Sequence, residues 1–176
     1  MATHRLASLA IAALLCGWVT GAWSQDLLRS DGRWLDDQAQ GYRLEALHGT
    51  PTVLTMAYGA CRRVCSTSLR MLETLQSVAD QRHIALNFVV VGIDPGQDRP
   101  ADWADFRAER KLTRTNWQFL TGDEQSVRHM ANRLGVRYWR YGEHTMHDFK
   151  IVLLSVDGKV VRSIDRFDQD VAVLLP

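Results

Sequence analysis

Pro51-Thr52-Val53-Leu54-Thr55-Met56-Ala57-Tyr58-Gly59-Ala60-Cys61-Arg62-Arg63-Val64-Cys65 is the stretch on which the reading of this 176-residue chain turns. Its first seven residues form an apolar run rich in β-formers, which reads as a buried strand. The run stops at Tyr58-Gly59-Ala60, and two cysteines follow at once. From Ser66 onward Leu69, Leu72, Leu75, Val78 and Ala79 recur at three- and four-residue steps, the pattern of an amphipathic helix. Cys61 and Cys65 therefore stand at a strand-to-helix junction. If that turn is helical, the i, i+4 spacing puts both sulfurs on one face, about one helical turn apart. The amides and dipole of the helix N-terminus favour a thiolate there, and Arg62 and Arg63 add positive charge between the two thiols. A thiolate is both the nucleophile of disulfide exchange and the ligand of a soft metal. The spacing alone does not choose between the two.

The rest of the chain supplies the frame. Ile84 to Ile93 contains Phe88-Val89-Val90-Val91, an uninterrupted apolar run of the kind found in parallel strands covered on both faces, and Asp94-Pro95-Gly96 ends it. A helix fits Ala101 to Lys111, a short strand Trp117 to Leu120, and a second helix Asp123 to Leu134 closed by Gly135. Phe149 to Leu154 and Lys159 to Ile164 flank Val156-Asp157-Gly158, where Asp-Gly marks a hairpin. The order β-α-β-α-β-α-β-β, with no internal repeat or linker, predicts one α/β domain over residues 25–176. Its natural form is a thioredoxin-like open sheet with helices on both faces. Trp34, Trp103, Trp117 and Trp139 are expected in its core.

Residues 1–24 read differently. A start carrying a single Arg, an apolar run from Leu6 to Val19 and the small residues Ala22 and Ser24 ahead of Gln25 match a secretory signal peptide. The run is shorter than the roughly 20 residues of a spanning helix. The expected outcomes are cleavage before Gln25 or retention as an anchor, so membrane contact arises only if the segment stays. Cys16 has bulky Leu15 before it, which argues against lipidation. One Arg and no acid fall in this segment, leaving 20 basic against 20 acidic residues beyond it. Nothing in that balance calls for a nucleic acid or an anionic lipid surface as partner.

Export leaves Cys61 and Cys65 as an isolated pair in an oxidising compartment: a disulfide, a redox couple or a metal site. A disulfide across four residues closes too small a loop to stabilise much by chain entropy. A peroxidase centre is disfavoured because Tyr58 and Gly59 stand where peroxiredoxins carry a threonine. Two thiolates and an imidazole suit Cu(I). His48 and His129 lie in polar contexts and His83 closes a helix, so all three are expected at the surface. His144 and His147 lie in Gly142-Glu143-His144-Thr145-Met146-His147, read as a loop entering the Phe149 strand. In a thioredoxin-like sheet that loop faces the cysteine turn. Thioredoxin-type oxidoreductases place a cis-proline there; this chain has proline only at 51, 95, 100 and 176, which favours a metal over simple disulfide exchange.

With these residues in place, the chain resembles the Sco/SenC family of copper-handling proteins from about Leu44 to Ile164. Three features carry the resemblance: Tyr58-x-x-Cys61-x-x-x-Cys65 after a strand; Val91-Gly92-Ile93-Asp94-Pro95-Gly96-Gln97-Asp98-Arg99-Pro100 ending another; and His147 eleven residues before Gly158. The resemblance implies a thioredoxin fold, periplasmic or anchored in the inner membrane. It implies one copper ion per chain, Cu(I) or Cu(II), held by Cys61, Cys65 and His147. It further implies a metallochaperone role toward a copper-acceptor protein such as a subunit of cytochrome c oxidase, as copper donor, thiol reductant or both. The alternative is a periplasmic thiol-disulfide oxidoreductase using the Cys61/Cys65 redox pair without metal. Arg62 and Ser66 stand where the family usually has proline, and Met146 where it usually has Asp before the histidine. Met146 is thus either a further soft ligand beside His147 or a residue packing the loop. Asp94 and Asp98 are expected to shape their loop rather than bind metal, Asp being too hard a ligand for Cu(I).

Overall fold

The computed structural model describes residues 25–59 and 64–175, with the backbone alone at 64–66. The expected signal segment, residues 1–24, lies outside the described residues. Nine strands and three α-helices follow: β1 (Trp34–Leu35), β2 (Gly41–Tyr42), β3 (Thr52–Ala57), α1 (Val64–Gln81), β4 (Asn87–Gly92), α2 (Pro100–Glu109), β5 (Trp117–Gly122), α3 (Glu124–Leu134), β6 (Tyr138–Tyr141), β7 (His144–His147), β8 (Ile151–Leu154) and β9 (Val160–Ile164). Seven strands form one sheet in the order β2-β1-β5-β4-β3-β8-β9, and β6 and β7 form a separate hairpin.

The two apolar runs occupy the middle of the sheet. β3 and β4 pair in parallel from Thr52↔Asn87 to Ala57↔Gly92, and β4 and β5 from Phe88↔Trp117 to Val91↔Leu120. All of β3 is buried, as continuous apolar strands covered on both faces require. The β3-α1-β4 and β4-α2-β5 crossovers move in one direction across the sheet, so right-handed connections place both helices on one face. There Leu69 and Leu72 of α1 meet Trp103 and Phe106 of α2 over Thr55, Ala57 and Val90. Trp103 packs against Phe106 edge-on at 5.5 Å and against Phe119 at 5.4 Å.

Helix α3 covers the opposite face. The Leu134-Gly135 end of α3 borders Val152, which pairs with Leu54 and so lies on the face away from Thr55. The open sheet with helices on both faces is therefore as the sequence predicts. Gly135 ends α3 at φ 67°, in the left-handed region, and its N–H bonds back to the carbonyls of Ala131 and Asn132. A Cβ there would find open room, with Lys150 Nζ 3.7 Å away, so the penalty is backbone strain alone. Gly135→Ala is expected to lower stability by about 1 kcal/mol, a fall in Tm of about 3 °C. An unchanged melting curve would contradict this account of the cap.

Two parts of the frame depart from the sequence reading. The lead-in before Thr52 contributes the two-residue strands β1 and β2, too short to show a period, with Trp34 in the core at the β5 edge. The segment expected as a loop, Gly142–His147, is instead the turn and second strand of the β6–β7 hairpin, in register Tyr138↔His147, Trp139↔Met146, Arg140↔Thr145 and Tyr141↔His144. Trp139 is 48% exposed on that hairpin, not in the core.

Candidate metal centre

Strand β3 delivers the chain to the cysteine turn at Tyr58 and Gly59. Cys61 lies outside the described residues. Cys65 is the second residue of α1, one of the residues described by backbone alone, so the strand-to-helix placement read from the sequence holds for it. What the structure defines closely is the ground on either side of the turn.

Asp98 is the central clamp. Its carboxylate, 1% exposed, accepts the Gly59 N–H at 2.7 Å through Oδ1 and the Asp94 N–H at 2.8 Å through Oδ2. One side chain thereby joins the end of β3 to the loop leaving β4. Burial pushes its pKa up to about 7, against the two backbone N–H bonds, which favour the charged form. The fit requires glycine beneath it: a Cβ on Gly92 would stand 2.6 Å from the Asp98 Cβ. Tyr58, buried beside this loop, donates its hydroxyl to Gln97 Oε1 at 2.7 Å.

Asp94 carries the connection on to the histidine. Its Oδ2 accepts the Thr145 hydroxyl at 2.7 Å and the Arg140 guanidinium at 2.7 Å. Thr145 is on β7, two residues before His147, and Arg140 is its partner on β6. Because side chains alternate along a strand, Thr145 and His147 share the inward face of the hairpin. A continuous set of bonds thus runs from Gly59 at the cysteine turn, through Asp98 and Asp94, to the strand that holds His147. Both carboxylates are engaged in shaping the loop, as the sequence suggests. Thr145→Val removes one bond of this tether, worth about 1 kcal/mol. The amides of 144–147 are then expected to exchange with solvent about fivefold faster, while the sheet amides keep their rates; unchanged exchange across β7 would refute the tether.

His147 itself is partly buried. Its Nδ1 lies 2.9 Å from the Asp148 carbonyl, which can only accept, so Nδ1 carries the proton. Nε2 is buried and has no hydrogen-bond partner among the described residues. Burial holds the imidazole pKa below the ordinary 6.5, outweighing the Asp148 carbonyl and carboxylate, which pull the other way. The neutral ring therefore keeps a lone pair on a buried, unpartnered Nε2 (a costly arrangement unless something binds there). A second ring nitrogen fixed by a carbonyl is the habit of a metal-ligating histidine. Asp148 is in turn gripped by Arg137, whose guanidinium lies 2.8 and 3.1 Å from its oxygens.

The other candidates fall away from this point. His144 is exposed, and Met146 is 42% exposed. Alternation puts both on the outward face of β7, so Met146 neither packs a loop nor stands beside His147. His48 pairs with Asp26 at 3.1 Å near the surface, and His83 and His129 are exposed, as expected. Among the described residues no cluster of three or more His, Cys, Asp or Glu can hold a metal. Sequence reasoning missed the Asp94–Thr145–Arg140 tether. Its one visible signal was Tyr138-Trp139-Arg140-Tyr141 before Gly142-Glu143, a strand followed by a tight turn.

The family model described as SCO1/SenC matches residues 25–174, which include the cysteine turn, the Asp94–Asp98 loop and His147. The chain belongs to the SCO1/SenC family. A curated relative, the SCO1 protein homolog of Bacillus subtilis (strain 168), is 26% identical over 123 residues, covering 68% of this chain and 64% of that protein; the chain thus spans less than two-thirds of that relative's length. Among solved structures, Arabidopsis thaliana ScoI with copper bound superposes with a TM-score of 0.71 at 19% identity, over 81% of this chain and 89% of that one. BsSco, described as a member of the Sco family of cytochrome c oxidase assembly proteins with a disulfide switch, gives 0.66 at 21% identity over 78% and 82%. These likenesses show the thioredoxin-like fold of this SCO1/SenC member.

Proposed function

We propose that this SCO1/SenC protein is an exported metallochaperone that carries one copper ion, as Cu(I) or Cu(II), between Cys61, Cys65 and His147. The ion is its cargo, passed by ligand exchange to an acceptor such as a cytochrome c oxidase subunit. The observation that carries this reading is His147 Nε2: buried, without a partner among the described residues, and kept unprotonated by its surroundings. Two thiolates from the cysteine turn and one imidazole form a soft, low-coordinate donor set that suits Cu(I). Binding displaces a proton from each thiol but none from His147, whose ring is already neutral. Delivery is to a compartment outside the cytoplasm, with residues 1–24 either removed or kept as an inner-membrane anchor. No described helix is long and apolar enough to cross a membrane.

The same cysteines can prepare the acceptor. In that step the Cys61/Cys65 dithiol gives two electrons and two protons to a disulfide of the partner. An S–S bond closes here as the partner's opens, leaving the partner with two thiols ready for copper. His147 takes no part in that exchange. The chain and its His147→Ala variant are therefore compared in two assays: copper bound per chain after reduction, and reduction of a model disulfide. The chaperone reading expects one copper per chain, lost or greatly weakened in the variant, with disulfide reduction largely retained in both. Absence of stoichiometric copper with brisk disulfide reduction would replace it with the oxidoreductase reading.

A further inference from the structure

The outward face of the β6–β7 hairpin is composed of four residues in two cross-strand pairs: Trp139 opposite Met146, and Tyr141 opposite His144. None is covered. Trp139 is 48% exposed, Tyr141 74% and Met146 42%, and His144 is exposed. A thioether, an indole and a phenol ring gathered in solvent on a four-residue hairpin form an apolar patch that core packing does not explain. The inward face of the same hairpin is otherwise engaged, through Thr145, Arg140 and His147. The two faces are chemically independent.

We propose that this outward face is a second, weaker binding site for a soft monovalent metal ion, Cu(I) or its surrogate Ag(I), with the Met146 thioether and the His144 imidazole as its ligands. The two residues are i and i+2 on one strand, so their side chains leave the same face about 7 Å apart along it. Long, flexible side chains at that spacing can converge on one ion from opposite sides, the geometry Cu(I) accepts with a sulfur and a nitrogen donor. Thioether and imidazole are both ligands that Cu(I) takes readily. Trp139 lies directly across from Met146, within side-chain reach, and its π face favours a cation placed over it. Tyr141 stands across from His144 in the same way.

The site's existence does not depend on Cys61, Cys65 or His147; its role does. If the proposed copper reading holds, Met146 and His147 are adjacent residues facing opposite sides of one strand. An ion loosely held outside then sits one hairpin's thickness from the buried Nε2. That arrangement fits a station where copper pauses while it exchanges between the buried ligands and another protein.

The test uses the full chain carrying Cys16→Ser, Cys61→Ser, Cys65→Ser and His147→Ala, which removes every thiol and the buried imidazole. Methionine methyl groups are labelled with carbon-13 and Ag(I) is added. The Met146 methyl is expected to shift to saturation at one Ag(I) per chain, while the methyls of buried Met56 and Met130 stay in place. Adding His144→Ala or Met146→Leu should weaken Ag(I) binding about tenfold or more. An immobile Met146 methyl, or an affinity indifferent to both substitutions, overturns the proposal. Should the thiol-free chain fail to fold, the titration is run on the otherwise unaltered chain past one equivalent of Ag(I), with Met146→Leu assigning the resonance: the Met146 methyl is expected to shift with the second equivalent, after the thiols have taken the first, and a methyl that stays in place beyond that point overturns the proposal. Because the thiols and His147 are absent from the first variant, loss of this site leaves the copper reading standing, and loss of that reading leaves this site standing.

Discussion

His147→Ala is expected to weaken copper binding by about 100-fold or more, a loss of about 2.8 kcal/mol. The reason is that no other described nitrogen stands ready to replace Nε2: His144 faces outward, and His48, His83 and His129 are surface residues elsewhere. The fold should survive, since the ring makes no hydrogen bond through Nε2 to any described residue and its Nδ1 bond is to the neighbouring residue's carbonyl. The ratio of affinities between the parent chain and the variant has its own pH signature. Proton competition at the thiols is common to both and cancels. What remains is His147, held below 6.5 by burial, so the ratio should shrink at a lower pH than it would for an ordinary imidazole. A ratio already halved at pH 6.5 would mean that His147 titrates as an ordinary surface histidine.

Asp98→Asn is the second large effect, and it too changes with pH. The buried carboxyl has a folded pKa of about 7 against 3.8 unfolded. Between those values the folded chain holds a proton that the unfolded chain has released. The stability Asp98 contributes is therefore complete below about pH 4 and is lost as pH rises to about 7, by an amount on the order of a few kcal/mol. Asparagine stays neutral throughout and lacks this fall. It also turns an NH2 toward one of two N–H donors, Gly59 or Asp94, leaving that donor unsatisfied at about 1–3 kcal/mol. The variant should be clearly less stable than the parent at pH 5 and draw level with it toward pH 8. A deficit that stays the same from pH 5 to pH 8 would show that Asp98 is charged in the fold throughout. Because Asp98 also holds the end of β3 against the loop that tethers the His147 hairpin, copper affinity at pH 7 should fall about tenfold.

These expectations rest on features that the sequence disclosed unequally. Strands β3, β4 and β8 were legible because buried strands demand unbroken apolar runs, and Val53, Val89–Val91 and Ile151–Leu154 supply them. Helix α3 was legible from both ends, Asp123 accepting the Ser126 N–H at the start and Gly135 closing it. The hairpin was not. Its outward residues are aromatic, sulfur-bearing and imidazole, and its inward residues are Tyr138, Arg140, Thr145 and His147, so neither face shows the apolar alternation that announces a strand. The clamp was half visible: Asp94 and Asp98 looked like loop-shaping residues, but their partners Gly59 and Thr145 lie 39 and 51 positions away along the chain. Local pattern carries no information about such pairings. The expectation that His147 is a ligand came from family likeness; its burial, its tautomer and an Nε2 with no partner among the described residues came from the structure.

X-ray absorption at the copper edge of the reduced, copper-loaded chain tests the central claim most directly. The account predicts a first shell of two sulfurs and one imidazole nitrogen, with the nitrogen and its outer-ring scattering lost in His147→Ala. A shell of sulfur alone, or one that His147→Ala leaves unaltered, would contradict it.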